Sequence, residues 1–288
     1  MRQLAPGILF AALWASASVA TKFGIQSADP LVLANTRFLI AGGLMLCYVY
    51  ILRRGRHSFP KGPEWKQLII FSLLNTTIYL GAFVLALKHV SAGIGSLSTA
   101  TNPLFIVLLS AIWLKRRLRW FEITGVLIGL AGVFLATYPL LLNSFATMEG
   151  LLILLAGMVS VSAATVYYAG ISWKHSAIVI NGWQVMIGGL LLLPFTLSTS
   201  DLNITNWNTR FWASVFWLIV PVSIVALQLW FFLVRQDAVR ASLWLFLCPI
   251  FGFIYAAILL GEPITWHTWA GTALVIGGLY LAQRGSKL

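Results

Sequence analysis

Polar residues interrupt this chain at intervals that leave long uninterrupted apolar runs. Ten of these lie near positions 4 to 24, 31 to 52, 67 to 87, 91 to 114, 121 to 138, 150 to 170, 177 to 197, 211 to 233, 238 to 260 and 267 to 283. Each is close to the roughly 20 residues that an α-helix needs to cross a bilayer. Strand-type alternation is missing, so the backbone groups of each run must be satisfied within the run itself, which predicts helices. The expected fold class is an all-α membrane protein with ten transmembrane helices. The first run, with only Arg2 ahead of it and further spans close behind, reads as a membrane span and not as a cleaved leader.

Composition sharpens this picture. Of 288 residues, 60% are hydrophobic and 9% charged, against about 25% charged in an ordinary soluble domain. A globule this size cannot cover itself with so few charges, so most of its surface must meet lipid. The net charge of +12 would suggest nucleic acid in a soluble protein. Here the basic residues gather in the short segments between runs, where they act as orientation signals. With loops assigned alternately to two sides, fifteen Lys and Arg fall on one side, including Arg2, Arg53, Arg54, Arg56, the Lys115 to Arg119 block and Lys287. The other side holds only Lys22, Arg37, Lys88 and Arg210. An excess of Lys and Arg marks the cytoplasmic side, so both termini are expected there. Cys47 and Cys248 both sit within apolar runs and read as small core residues, with neither a disulfide framework nor a metal cluster implied.

The chain also matches itself at an offset of 146 residues. Pro103 pairs with Pro249, Trp120 with Trp266, Gly125 with Gly271 and Gly132 with Gly278, within thirteen identities over 45 positions. The same offset pairs Asn35 with Asn181 and the doublet Gly42–Gly43 with Gly188–Gly189. Pro, Trp, Asn and paired Gly do not recur at one spacing through apolar composition alone, so the reading is a duplication, 1–142 and 147–288. Five spans per copy is an odd number, which makes the second copy enter the membrane from the opposite side. Two inverted five-helix repeats suit a carrier that exposes one midplane site to either side in turn.

At residues 261 to 283 the stretch GEPITWHTWAGTALVIGGLYLAQ resembles the end of an EamA-type half of the drug/metabolite transporter superfamily. WLKRRLRWFEITGVLIGLAGVFLAT at 113 to 137 is similar, with KRR in place of GEP, and Trp14 with Lys22 resembles the family's first span. The resemblance covers essentially the whole chain. It implies a multi-pass carrier of the inner membrane, in many members an exporter of amino acids or other small metabolites. It also implies a cavity built from the first four helices of each half. Direction and substrate are not carried by these motifs, since the superfamily includes importers and exchangers.

Candidate chemistry lies inside the spans. Asn75, Tyr79 and Phe83 are spaced by four and share a helical face that would not suit lipid. Ser98 and Asn102 repeat the spacing next to Pro103. Proline at mid-span frees the carbonyl one turn earlier, so Pro103, Pro221 and Pro249 are candidate hinges or gates. Trp14, Tyr167, Trp230 and Trp244 lie deep in their spans, whereas Trp207, Trp212 and Trp266 read as interfacial. The expected substrate-binding set is Trp14, Asn75, Tyr79, Ser98, Asn102, Tyr167, Gln228 and Trp244, with aromatic faces favouring a flat or apolar compound. The bland reading of Asn, Ser and Tyr, as bonds between neighbouring helices, stands beside it. Lys22 and Arg37 lie near the external ends of their spans, where they either snorkel to water or serve as an external gate or carboxylate contact. The glycine doublets, Gly277–Gly278 included, are expected at close helix crossings.

No Asp or Glu is placed at mid-span, so a carboxylate proton relay is not evident. The expected partners are a small-molecule substrate and membrane lipid, without nucleic acid, metal or cofactor, in a monomer or homodimer. The main reading is export of an amino acid or aromatic compound, with uptake of a vitamin-like or nucleoside-like ring system as the alternative. A lipid-acting membrane enzyme is less favoured: HExxH and Asp-rich pairs are missing, and His57, His89, His175 and His267 lie in or beside loops. Asn203 heads a three-residue glycosylation sequon, a pattern too short to carry an argument.

Overall fold

The computed structural model describes residues 4–53, 58–115, 117, 119–142, 147–201, 205–261 and 264–284. Arg2, Arg54, Arg56, His57, Arg116, Asn203, Glu262 and Lys287 lie outside the described residues.

The described residues form ten helical rods and no strand. In chain order they are α1 (Leu4–Gly24), α2 (Pro30–Leu52), α3 (Pro63–Ala86), α4 (Ala92–Trp113), α5 (Trp120–Leu142), α6 (Met148–Gly170), α7 (Ala177–Thr199), α8 (Thr209–Val234), α9 (Ala238–Leu260) and α10 (Trp266–Arg284). Among the described residues, eight are long and apolar enough to span a membrane, all except α5 and α10. The rods begin where the sequence supplies a cap. Asp29 accepts from the Leu31 amide ahead of Pro30, and Asn208 from that of Phe211 at 2.9 Å. Ser91 and Asp237, which are 146 residues apart, cap α4 and α9 in the same way, accepting from Ile94 at 3.2 Å and Arg240 at 3.0 Å. Gly261, in the left-handed region at φ 69°, closes α9.

Four rods lose regular α-helical geometry at mid-length, and they do so in pairs. A wide π turn interrupts α3 at Leu73–Ile78 and α8 at Leu218–Ala226. A tight 3₁₀ turn interrupts α4 at Thr99–Thr101 and α9 at Trp244–Leu247, in each case just before the proline. Shifted by 146 residues, each interruption falls on its counterpart. The prolines account for α4, α8 and α9, since each removes a backbone donor and crowds the preceding turn. No proline lies in the Leu73–Ile78 turn. There Ser160 donates to the Leu74 carbonyl at 2.8 Å and so satisfies one of the loosened backbone groups.

Packing follows the same interchange. Helix α1 leans on α8 and α9, and α6 leans on α3 and α4; α2 lies along α7, and α5 along α10. Without a hydrophobic force to join helices in lipid, close crossings rest on small residues. A Cβ added to Gly42 would stand 2.8 Å from the Met186 backbone, and one on Gly188 would stand 2.3 Å from Thr76. Gly278 behaves alike, but the space beside Gly277 is open, so the expected crossing there involves only the second glycine of the doublet. Cys47 is also not a core residue: it faces outward on α2, and only Cys248 is buried.

Candidate functional site

Where α1, α3 and the irregular turns meet, two small cavities lie on either side of one aromatic contact. The rings of Trp14 and Tyr79 stack at 6.4 Å with 20° between their planes, and both residues border both cavities. One cavity is shared with Ser18, Arg37, Phe83, Ser96 and Thr99. The other is shared with Phe10, Asn75, Asn102, Thr165 and Trp230. Each has a volume of about 10 Å³, roughly room for one water molecule. The stack therefore closes the middle of the bundle. A separate groove of about 490 Å³ opens on the outer surface between α1, α8 and α9, lined by Phe23, Arg210, Trp217 and Tyr255.

Behind the cavities runs a chain of buried polar groups. The Asn75 amide donates to the Gln184 carbonyl oxygen at 3.2 Å, and the Thr76 hydroxyl to the same oxygen at 2.5 Å. Gln184 donates to Asn181 at 3.0 Å, and Asn181 to the Ser223 carbonyl at 2.8 Å. Arg37 Nε ends the chain on the Ser223 hydroxyl at 2.8 Å. The network joins α2, α3, α7 and α8, with its side chains all buried. Low local polarity strengthens each bond and makes an unmade one costly. On the other side Ser96 donates to Ser18 at 2.9 Å, and Ser162 reaches Asn102 at 3.3 Å.

Of the residues singled out from sequence, Trp14, Asn75, Tyr79 and Asn102 come together around the stack. Asn75, Tyr79 and Phe83 are 3%, 2% and 5% exposed, as their shared face suggested. Ser98 turns back to its own helix, donating to the Gly95 carbonyl at 2.7 Å, outside the lining of either cavity. Trp244 is likewise outside it: its ring lies on Gly7, where an added Cβ would come within 2.2 Å. Tyr167 and Gln228 are half-buried and also stand apart, the Gln228 amide nitrogen without a partner. Lys22 is half-buried in the last turn of α1. Arg37 does not snorkel. It is 2% exposed and tied to α8, because Ser223 on the neighbouring rod meets its guanidinium before water can. Gln184 went unnoticed in the sequence, although its spacing of three from Asn181 places both on one face of α7. Among the described residues no cluster of three His, Cys, Asp or Glu side chains assembles to hold a metal.

The sequence pattern of the EamA-like transporter family matches the chain twice, over residues 4–138 and 148–283. The chain belongs to this family. An "Uncharacterized transporter" of Archaeoglobus fulgidus is 26% identical to this EamA-type chain over 94% of it and 95% of the relative. An "Uncharacterized inner membrane transporter", YedA of Escherichia coli, is 26% identical over the whole chain and 94% of its own length. A chloroplastic WAT1-related protein of Arabidopsis thaliana is 26% identical over 94% of the chain, which spans 66% of that longer protein. A solved crystal structure superposes with a TM-score of 0.79 over 98% of both chains at 21% identity, a likeness of fold alone. With apolar helices repeated along its length, this EamA-type chain is a multi-pass membrane protein.

Proposed function

We propose that the chain is a secondary carrier that moves a small organic metabolite across the inner membrane by alternating access. It works as two inverted five-helix halves, 1–142 and 147–288, with ten crossings and both termini in the cytoplasm. The inner-membrane relative and the transporter names of the other relatives support the compartment and the class. The single observation that carries the mechanism is the Trp14–Tyr79 stack, with one small cavity on each side and irregular turns at equivalent places in α3, α8, α4 and α9.

A closed centre of this kind corresponds to the state between outward and inward opening. The cargo enters when the rods part at one face, and Trp14 and Tyr79 then separate to sandwich it. The π and 3₁₀ turns give the rods places to bend without breaking regular hydrogen bonds. Asn75 and Asn102 supply neutral donors and acceptors that orient the cargo, while Gln184 holds Asn75 in place. Pro103, Pro221 and Pro249 set the bends. The aromatic lining favours an amino acid with an apolar side chain or an aromatic compound, and export is the working direction.

Counterflow in proteoliposomes tests this. Vesicles preloaded with a metabolite extract should accumulate labelled forms of the compounds carried, transiently and without an applied gradient. Comparison of cell and medium metabolites between overexpressing and deleted cells should show the same compounds enriched outside. Flux of no compound in either assay would remove the carrier reading, and enrichment inside the cell would reverse its direction.

A further inference from the structure

Arg37 carries the most informative feature of the buried interior. Its guanidinium lies in the core of the bundle, 2% exposed, with Nε on the Ser223 hydroxyl and Nη2 without any hydrogen-bond partner. No ion pair involves it among the described residues. Asp29, Glu64 and Asp237, each at a helix start, give their carboxylates to other cations. Beside it the ring of Phe38 lies 5.5 Å from the guanidinium carbon, a contact that softens but does not neutralise the charge. An always-charged group held away from water with an unused donor is costly to keep for packing alone. Arg37 also borders the cavity that contains Tyr79, Trp14, Ser18 and Ser96, so its side chain stands next to the aromatic stack.

We infer that the cargo is an organic carboxylate with a flat apolar body: its carboxylate is taken by Arg37, and its body lies between Trp14 and Tyr79. This rests on the carrier reading and names the substrate class of the same site. Arg37 gives a carboxylate a charge-assisted bond that no neutral isostere can form. Ser18 and Ser96, bonded to each other in the closed centre, supply hydroxyl donors when that pair opens. The arrangement also couples loading to movement, because the Arg37–Ser223 bond links the anion site on α2 to the irregular turn of α8.

The test uses the purified full chain in lipid nanodiscs, with phenylacetate and 3-phenylpropanoate as probes and their amides as neutral isosteres. Binding is read by tryptophan fluorescence and by ligand-induced thermal stabilisation. The carboxylates should bind at least about tenfold more tightly than the amides, with the preference erased in Arg37→Gln and partly kept in Arg37→Lys. The unliganded Arg37→Gln protein should also unfold at a higher temperature than the wild type, the reverse of what a purely structural arginine predicts. Equal binding of acid and amide by the wild type, no binding of any carboxylate, or a preference that survives in Arg37→Gln overturns the inference. The wild-type comparison stands even if a variant does not fold. Counterflow of neutral compounds alone would leave a carrier and sink the anion site; Arg37-dependent carboxylate binding without counterflow would sink the carrier and keep the site.

Discussion

Gly132 and Gly278 make the same contact from opposite sides of one helix crossing. A Cβ on Gly132 would stand 2.6 Å from the Gly271 carbonyl oxygen, and a Cβ on Gly278 would stand 2.6 Å from that of Gly125. The two pairs exchange under the 146-residue offset, so α5 and α10 meet as equivalent partners at backbone contact distance. Such proximity is open only to glycine, and it turns a sequence repeat into a packing relationship.

Gly278→Ala should therefore destabilise the protein by about 1–3 kcal/mol, the usual cost of forcing extra volume into a filled contact. Gly277→Ala, next to it but facing open space, should leave thermal unfolding in detergent unchanged or raise it slightly. Equal effects at the two positions would refute the crossing.

Trp14 and Trp244 should separate binding from packing. Trp14→Ala, which removes half of the central stack, should depress counterflow far more than it lowers the unfolding temperature. Trp244→Ala, which empties the space over Gly7, should instead cost about 3–5 kcal/mol of stability. Unfolding curves and transport rates on the same preparations decide between these outcomes.

Gln184→Leu should leave the Asn75 amide, the Thr76 hydroxyl and the Asn181 carbonyl oxygen without their Gln184 partner at once. The expected loss is about 1–3 kcal/mol for buried polar groups left unpaired. Asn75 also loses its positioning, so the affinity for cargo should weaken along with stability. A variant with wild-type unfolding and wild-type affinity would show that the network contributes to neither.

Pro249→Ala restores a backbone donor to α9 and should let the 3₁₀ turn at Trp244–Leu247 relax toward regular helix. In the proposed mechanism bending belongs to turnover and not to recognition, so the exchange rate should fall while equilibrium binding is kept. Unchanged exchange rates would assign the proline a static role.

Fusing reporters to the two ends checks the orientation. Both should report from the cytoplasm, as the 15 to 4 division of basic residues requires. Opposite compartments for the two reporters would change the number of crossings from even to odd and remove the inverted arrangement.

Much of this was written locally in the chain. Each apolar run had to close its own hydrogen bonds, so the helices fall within a few residues of the expected spans: α1 and α9 match them, and α3 begins four residues earlier, at Pro63. The prolines located three of the four irregular turns, and those turns recur at the same offset of 146 residues. Apart from the Asn75, Tyr79 and Phe83 face of α3, which side each helix turns inward was decided only in the tertiary structure. In a soluble helix the polar side marks the surface, but lipid and protein core are both apolar, and that contrast fades. Hence Arg37, expected near water, was taken in by Ser223 of a rod 186 residues away, and Gln184 acquired its role from Asn75 and Thr76 across a helix interface. Trp244, deep in its span, was claimed by the bare backbone of Gly7. Hydropathy depends on a residue and its neighbours in sequence, whereas the partner of a buried polar group depends on which helix happens to lie opposite it.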